Sequence, residues 1–239
     1  MKVHVLKALS TNYFYILESR GEAIVFDPGE AQTPMNFLLE NNLTPKAIWL
    51  THHHHDHVDG VPQLAEHFQI PVYASRFDAA RLPFVTDPLQ WGEEVQFDGN
   101  KFEVIDLKGH AHGQIGYYCK EQGVLFSGDA LFSFGCGRLL EGTAEEHFES
   151  LGRIKSLPEN TKVYFSHEYS LKNLEFAGSI SDQVPMESDF KDLQRELHQR
   201  LNSEGVSTPT TVGLEMKNNP FLRVSLEQFI KIRRLRDQW

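Results

Sequence analysis

The sequence predicts an α/β layered domain followed by a helical appendage. Three observations carry that prediction. Short β-branched and aromatic runs, bounded by Gly, Pro and Asp, recur through residues 1–167. Amphipathic segments interrupt these runs in small groups, as in layered α/β proteins. Residues 168–239 then lose strand alternation and take helical spacing. At 239 residues, 40% of them hydrophobic and 11% aromatic, the chain can bury a sizeable core, and composition excludes disorder for most of it.

In chain order, the alternating or β-rich runs Val3–Leu9, Tyr13–Glu18 and Ala23–Asp27 read as strands. A helix over Pro34–Asn41 follows, with Thr33 as N-cap and Pro34 at the first helical position. The run Ala47–Thr51 is the next strand, and Val61–Phe68 the next helix, with Pro62 in its first turn. Strands follow at Val72–Ala74, Lys101–Leu107, Ile115–Cys119 and Val124–Ser127. Thr143 and Glu146 have capping-box spacing and open a helix over Ala144–Ser156, before a strand at Lys162–Phe165. In the tail, Phe190-Leu193-Leu197-Leu201 and Leu226-Phe229-Ile230-Leu235 predict helices within 186–204 and 225–237, after one at 170–179. The Thr/Pro/Asn-rich stretch 205–224 reads as a loop, and no internal repeat is present.

The net charge of −10 is uneven: residues 1–167 hold 22 acidic and 13 basic side chains, residues 168–239 hold 11 and 10. An acidic chain of this kind does not bind nucleic acid non-specifically. The apolar stretch Ala47–Leu50 is far short of the roughly 20 residues of a membrane span. The segment Met1–Lys7 alternates like a strand and lacks a signal peptide's apolar core. Two Cys cannot form a disulfide framework, so the expected setting is the reducing cytoplasm. Cys119 lies in an apolar strand, and Cys136 has no triad beside it, which argues against covalent catalysis.

Five of the 12 His fall between positions 52 and 57, in Thr51-His52-His53-His54-His55-Asp56-His57. The segment follows an apolar run, at the strand end where α/β proteins build sites. On extended backbone His52 and His54 share one side and His53 and His55 the other, and a turn after them can bring Asp56 and His57 to the same cavity. Imidazoles and carboxylates together suit zinc, iron or manganese. An expression tag would sit at a terminus and would not contain an interior Asp. Further candidates also follow strands: His110 after Leu107, Asp129 in Ser127-Gly128-Asp129-Ala130, and His167 after Phe165. His112 is a rival to His110, which is preferred for its spacing to Gly113.

Taken together, Thr-His-x-His-x-Asp-His, Gly-His, Ser-Gly-Asp and Ser-His-Glu-Tyr resemble the metallo-β-lactamase superfamily. The segments Phe26-Asp27-Pro28-Gly29, Glu141-Gly142-Thr143 and Asn173-Leu174 support the match, and Gly135-Cys136-Gly137-Arg138 and Asn219-Pro220-Phe221-Leu222-Arg223 narrow the resemblance to glyoxalase II, the hydroxyacylglutathione hydrolases. It runs almost the whole length of the chain. It implies a four-layer αββα sandwich over residues 1–168 and a helical, glutathione-binding domain over 169–239. It implies two divalent metal ions per chain, zinc foremost and iron or manganese as alternatives. The first would be held by His52, His54 and His110, the second by Asp56, His57 and His167, with Asp129 and a water or hydroxide bridging them. The implied reaction is hydrolysis of S-D-lactoylglutathione to D-lactate and glutathione, with Asp56 and Asp129 in the catalytic centre. The implied partner is a small glutathione thioester, for a monomer or weak oligomer free of nucleic acid and membrane. Arg138, Tyr169 and Arg223 match substrate-contacting positions, and Asp27 is expected to brace a ligand His.

The chain also departs from the family. Leu140 stands where some members place a Tyr that contacts glutathione, no Lys follows Arg223, and Ala111 and Gln114 alter the Gly-His motif. These departures leave room for a lactonase, a broader thioesterase or a single-iron persulfide dioxygenase. A non-catalytic binding protein would have lost ligands, and none is missing.

Overall fold

The N-terminal alternation becomes an antiparallel hairpin, β1 (Lys2–Ala8) and β2 (Asn12–Ser19), with Leu6 opposite Phe14. β3 (Glu22–Phe26) pairs antiparallel with β2, and α1 (Gln32–Glu40) returns the chain to β4 (Thr44–Trp49), parallel to β3. The parallel register sets Phe26 beside Trp49, so Asp27 and Thr51 leave the sheet at the same edge. The computed structural model describes residues 1–239, and its contacts divide the chain into two compact units. The first comprises Met1–Asp106 and Gly113–Gln122, the second Leu107–His112 and Gly123–Trp239.

In the first unit the sheet is completed by β5 (Val72–Ser75) and β6 (Asp87–Leu89), both parallel to their neighbours. The short helices α2 (His55–Val58) and α4 (Arg76–Ala79) flank α3 (Val61–Phe68) and β5 in sequence. On one face Ile16, Val25, Ile48 and Val72 pack with Leu38 of α1 and Leu64 of α3. On the other, an antiparallel trio of β7 (Glu94–Phe97), β8 (Asn100–Asp106) and β9 (Ile115–Cys119) supplies Phe102 and Tyr117. Tyr117 stacks on Trp49 at 5.1 Å and donates its hydroxyl to the Leu50 carbonyl at 3.0 Å.

In the second unit β10 (Val124–Gly128) runs parallel to β13 (Lys162–Phe165), with Phe126 beside Tyr164. The chain therefore exits both strands at one end, where Asp129 and Ser166-His167 follow. Between them lie a small hairpin, β11 (Leu131–Phe132) and β12 (Gly135–Cys136), and α5 (Ala144–Lys155). The tail forms α6 (Ser170–Ser179), α7 (Phe190–Glu204), the short edge strand β14 (Thr210–Thr211), α8 (Val212–Asn218), a 3-10 turn at Pro220–Leu222 and α9 (Leu226–Gln238). Leu174, Leu193 and Leu197 join Phe134 of the hairpin loop in one core.

Several local readings change. Thr33 does not cap α1; the Glu30 carboxylate accepts the amides of Gln32 and Thr33 at 2.7 and 2.9 Å, and the helix begins at Gln32. The helix expected from 186 begins at Phe190, because Asp189 turns its carboxylate onto the amides of Lys191 and Asp192. The stretch 205–224 is no plain loop: Thr211 caps α8 through the Leu214 amide. The Thr143–Glu146 capping box of α5 forms as expected. No helix is long and apolar enough to cross a membrane.

Ile48 sits at the fully buried centre of β4. Ile48→Ala is expected to lower the unfolding free energy by about 2–5 kcal/mol, whereas Leu39→Ala, at a 57% exposed position, shifts it by less than about 0.5 kcal/mol. Urea denaturation measures both.

Candidate metal centre

In the first unit the hexapeptide leaves β4 extended. His54 keeps a β conformation, and helix α2 then begins at His55, which supplies the turn that redirects Asp56 and His57. His52 Nε2 lies 3.0 Å from His54 Nδ1, and its Nδ1 lies 3.0 Å from Thr51 Oγ1. The His52 and His57 rings stand 4.0 Å apart. His57 is buried, with Nδ1 3.1 Å from Asp27 Oδ2 and Nε2 3.6 Å from Asp56 Oδ2. Asp27 has a left-handed backbone, φ +48°, and its carboxylate also accepts the Thr51 amide and hydroxyl, each at 2.7 Å. Strain of this kind persists where the surroundings over-determine it. Asp56 is fixed from the start of β2: Asn12 Nδ2 donates to its Oδ2 at 2.9 Å and to its carbonyl at 3.2 Å.

In the second unit Asp129 is the meeting point. Its Oδ2 lies 3.3 Å from His110 Nε2 and 3.4 Å from His167 Nε2, and Ser166 Oγ donates to Oδ1. His110 Nδ1 donates to the Arg138 carbonyl at 2.8 Å, which leaves Nε2 as the lone-pair nitrogen. Gly137 passes so close to the Asp129 carbonyl that a Cβ there would overlap it, which explains a glycine in Gly-Cys-Gly-Arg. His112 is exposed, and its backbone amide donates to Glu141. Tyr169 stacks on His167 at 5.0 Å, nearly parallel, and Phe132 meets both rings edge-on.

These donors fit a divalent cation. His57 and His110 each have Nδ1 against a carboxylate or carbonyl and Nε2 beside a candidate ligand carboxylate, the outer bracing that metal-bound imidazoles take. His53 and His55 point elsewhere: His53 contacts Asp78 and Arg81, and His55 lies 3.0 Å from Asp59 on the surface. Asn12, Thr51 and Ser166 were not among the expected residues. Thr51 and Ser166 directly precede ligand candidates, a position that could have flagged them; nothing local distinguishes Asn12.

The expected substrate contacts all lie in the second unit. Arg138 is mostly exposed, with Nε 3.4 Å from Asp237. Arg223 is held by the carbonyls of Pro185 and Met216 and by Glu187 at 2.8 Å. Leu140 is exposed. The loop before Arg138 is clasped by the tail. The fully buried Glu215 carboxylate accepts from Ser133 Oγ, the Phe134 amide, Thr210 Oγ1 and Asn219 Nδ2, at 2.6 to 3.2 Å. Asn219 also donates to the Phe132 and Gly135 carbonyls, and Arg233 to that of Cys136. Burial pushes the Glu215 carboxyl up to about 7 against the pull of these four donors.

A mixed α/β fold with His and Asp donors at strand ends defines a class. The metallo-β-lactamase superfamily profile matches residues 7–167, and that of the hydroxyacylglutathione hydrolase C-terminus matches 168–239. A hydroxyacylglutathione hydrolase of Nostoc punctiforme is 42% identical over 97% of this chain and 93% of its own. In structure, ETHE1 from Myxococcus xanthus superposes with a TM-score of 0.75 at 25% identity, covering 98% of this chain and 90% of its own. A protein solved in a di-iron-bound form, TTHA1623, gives 0.64 at 27% identity, over 93% of this chain and all of its own. The fold is thus the α/β sandwich of the metallo-β-lactamase superfamily, with a C-terminal helical region, and its donor set is that of a divalent-metal protein. Within that class, the chain belongs to the hydroxyacylglutathione hydrolase family.

Glu215 has a measurable signature. Its carboxyl titrates higher in the folded chain than in the unfolded one, so the fold holds the extra proton between about pH 4.5 and 7. Stability from this group is present below that window and lost as pH rises through it. His147, fully buried and lowered to about 4 by burial, works in the opposite sense between about pH 4 and 6.5. Unfolding midpoints of Glu215→Gln and the parent, compared from pH 4 to 8, should show the variant gaining on the parent as pH rises. Glu215→Ala, which strands four donors, should cost about 3 kcal/mol or more.

Proposed function

We propose that this chain hydrolyses S-D-lactoylglutathione, a 2-hydroxyacylglutathione thioester, to D-lactate and glutathione. The observation that carries the reading is a complete His and Asp donor set in a chain whose residues 168–239 match the hydroxyacylglutathione hydrolase C-terminus. His52, His54 and His110 are assigned to one cation and Asp56, His57 and His167 to a second, with Asp129 shared. Two zinc ions are the first choice, with iron or manganese open, since such donors accept all three. Bound divalent cations lower the pKa of water towards about 7 and polarise a carbonyl, the chemistry that thioester hydrolysis needs near neutral pH.

The chain's own residues do the rest. Asp27 holds the ring of His57, and the Arg138 carbonyl holds that of His110, so that each presents Nε2. Asn12 and Ser166 hold the carboxylates of Asp56 and Asp129. The leaving group is a thiolate, whose conjugate acid has a pKa near about 8.5, so no strong general acid is required. That agrees with a site whose polar groups are nearly all ligands or their braces. Arg138, Tyr169 and Arg223 are assigned to glutathione, the two Arg to its carboxylates. Arg223 is already locked by Glu187 and two carbonyls, so binding would cost it little side-chain freedom. Residues 1–168 form the catalytic part and 169–239 the substrate-binding part of a cytoplasmic monomer or weak oligomer.

Steady-state assay of the zinc-loaded protein on S-D-lactoylglutathione, beside lactones and β-lactams, tests the reading. Cleavage of the other esters or lactams with the thioester untouched would overturn it. Asp129→Ala is expected to lower both metal content and activity, the latter by at least about 100-fold; survival of both would remove Asp129 from its bridging role. His110→Ala should behave similarly, while His112→Ala stays within about twofold of the parent.

A further inference from the structure

His53 is the one member of the hexapeptide that is largely buried yet not assigned to a cation. Its ring has a hydrogen-bond partner at Nε2 and a carboxylate within ion-pair distance of Nδ1. Arg81 Nη1 donates to Nε2 at 2.8 Å, which places the ring proton on Nδ1. That nitrogen lies 3.2 Å from Asp78 Oδ1. Asp78 is completely buried in α4, a helix of one turn whose N-terminus is capped by Ser75 Oγ on the Asp78 amide. Arg81 Nε stands 3.7 Å from the same carboxylate oxygen.

A second segment abuts that carboxylate. Gly113 passes so close to Asp78 that a Cβ would overlap Oδ1. Gly113 closes the Gly-His-Ala-His-Gly motif, and His53 lies between His52 and His54. One buried carboxylate thus touches a residue inside the first ligand motif and the closing residue of another. An isolated buried charge is costly and is tolerated where it is paired. Here the pairing partners are the imidazole of His53 and the guanidinium of Arg81.

We propose that Asp78 is a positioning residue for the metal hexapeptide, acting through the ring of His53. With His53 clamped between Asp78 and Arg81, the backbone on either side is fixed, and His52 and His54 are held on the opposite side of the extended segment. The inference rests on the metal-binding reading above, and not on the identity of the substrate.

Zinc affinity of purified protein, measured by chelator competition, together with zinc per chain by elemental analysis, tests it. Asp78→Ala and His53→Ala are each expected to weaken zinc binding about 10- to 100-fold, the range for residues that orient ligands. His53→Asn, whose amide can stand where Nδ1–H stood, should recover most of that loss. Removing Asp78 in the His53→Ala background should cost less than about a further twofold, since contacts acting as a unit are non-additive. Urea unfolding of the zinc-free proteins separates positioning from bulk stability: the zinc loss should exceed any shift in the unfolding midpoint and should not track it. Parent-like zinc affinity in both single variants, or independent multiplication of their losses, overturns the proposal. If Asp78→Ala does not fold, His53→Ala and His53→Asn decide alone, and equal zinc affinity in the two overturns it. A parent protein that binds zinc but spares the thioester refutes the substrate assignment and leaves this test intact; a parent that binds none refutes both.

Discussion

A carboxylate buried at the end of a strand must be compensated, and the partners that compensate Asp27 are parts of the metal motif itself. Its two oxygens take the amide and hydroxyl of Thr51 and sit against His57 Nδ1. This ties the exit of β3 to the exit of β4 and to the turn of α2. The parallel register of Phe26 with Trp49 makes the tie possible, because it sends both chains out at the same edge. If one partner is removed, a buried carboxylate is left with part of its hydrogen-bonding capacity unmet, which costs more than the bond contributed. The left-handed backbone of Asp27 is therefore held in place by the same contacts that orient His57.

The second unit repeats the device with different residues. Glu215 lies 86 positions beyond Asp129 and contacts no ligand candidate, yet it collects donors from the hairpin loop, from β14 and from Asn219. Those bonds fix the loop that runs into Gly137, which packs on the Asp129 carbonyl, and Arg138, whose own carbonyl accepts from His110. Helices of the tail and the loop that carries ligand bracing thus form one polar network. Such networks rigidify only when every member is satisfied, and the four donors on Glu215 meet that condition.

What could be read from the sequence follows from how local each signal is. The hexapeptide, the strand-end positions of His110, Asp129 and His167, and the capping box of α5 are set within a few residues, and all were legible. The braces were less so. Asn12 and Asp56 are 44 residues apart, Ser166 and Asp129 37, and Arg81 and His53 28. No periodicity links such pairs; they meet because strand register and crossover helices bring them together. Element boundaries failed for a related reason. Two-residue strands such as β11, β12 and β14 are too short to show alternation, and Thr211 reads as loop composition until its hydroxyl is seen to cap α8. The resemblance to glyoxalase II supplied the ligand order, but the reasons for Gly113 and Gly137 came only from what a side chain there would strike.

The histidine surplus is where sequence and structure inform each other most. Five of the 12 His are assigned to cations; of the other seven, His55, His67, His112 and His198 are exposed, and three are engaged within the fold. His53 is clamped by Asp78 and Arg81, and His4 pairs with Glu18 on adjacent strands. His147 is fully buried in α5 and donates Nε2–H to the carbonyl of Ala130, the residue after Asp129. Burial lowers its pKa to about 4. The ring therefore stays uncharged near neutral pH, and no unpaired charge is buried at Nδ1 while Nε2–H meets the carbonyl. Desolvation thus removes the charge change near neutrality that histidine is usually used for. Histidine here serves two roles: ring nitrogens offered to the proposed cations in one set, and ring contacts to a carbonyl or carboxylate in the other.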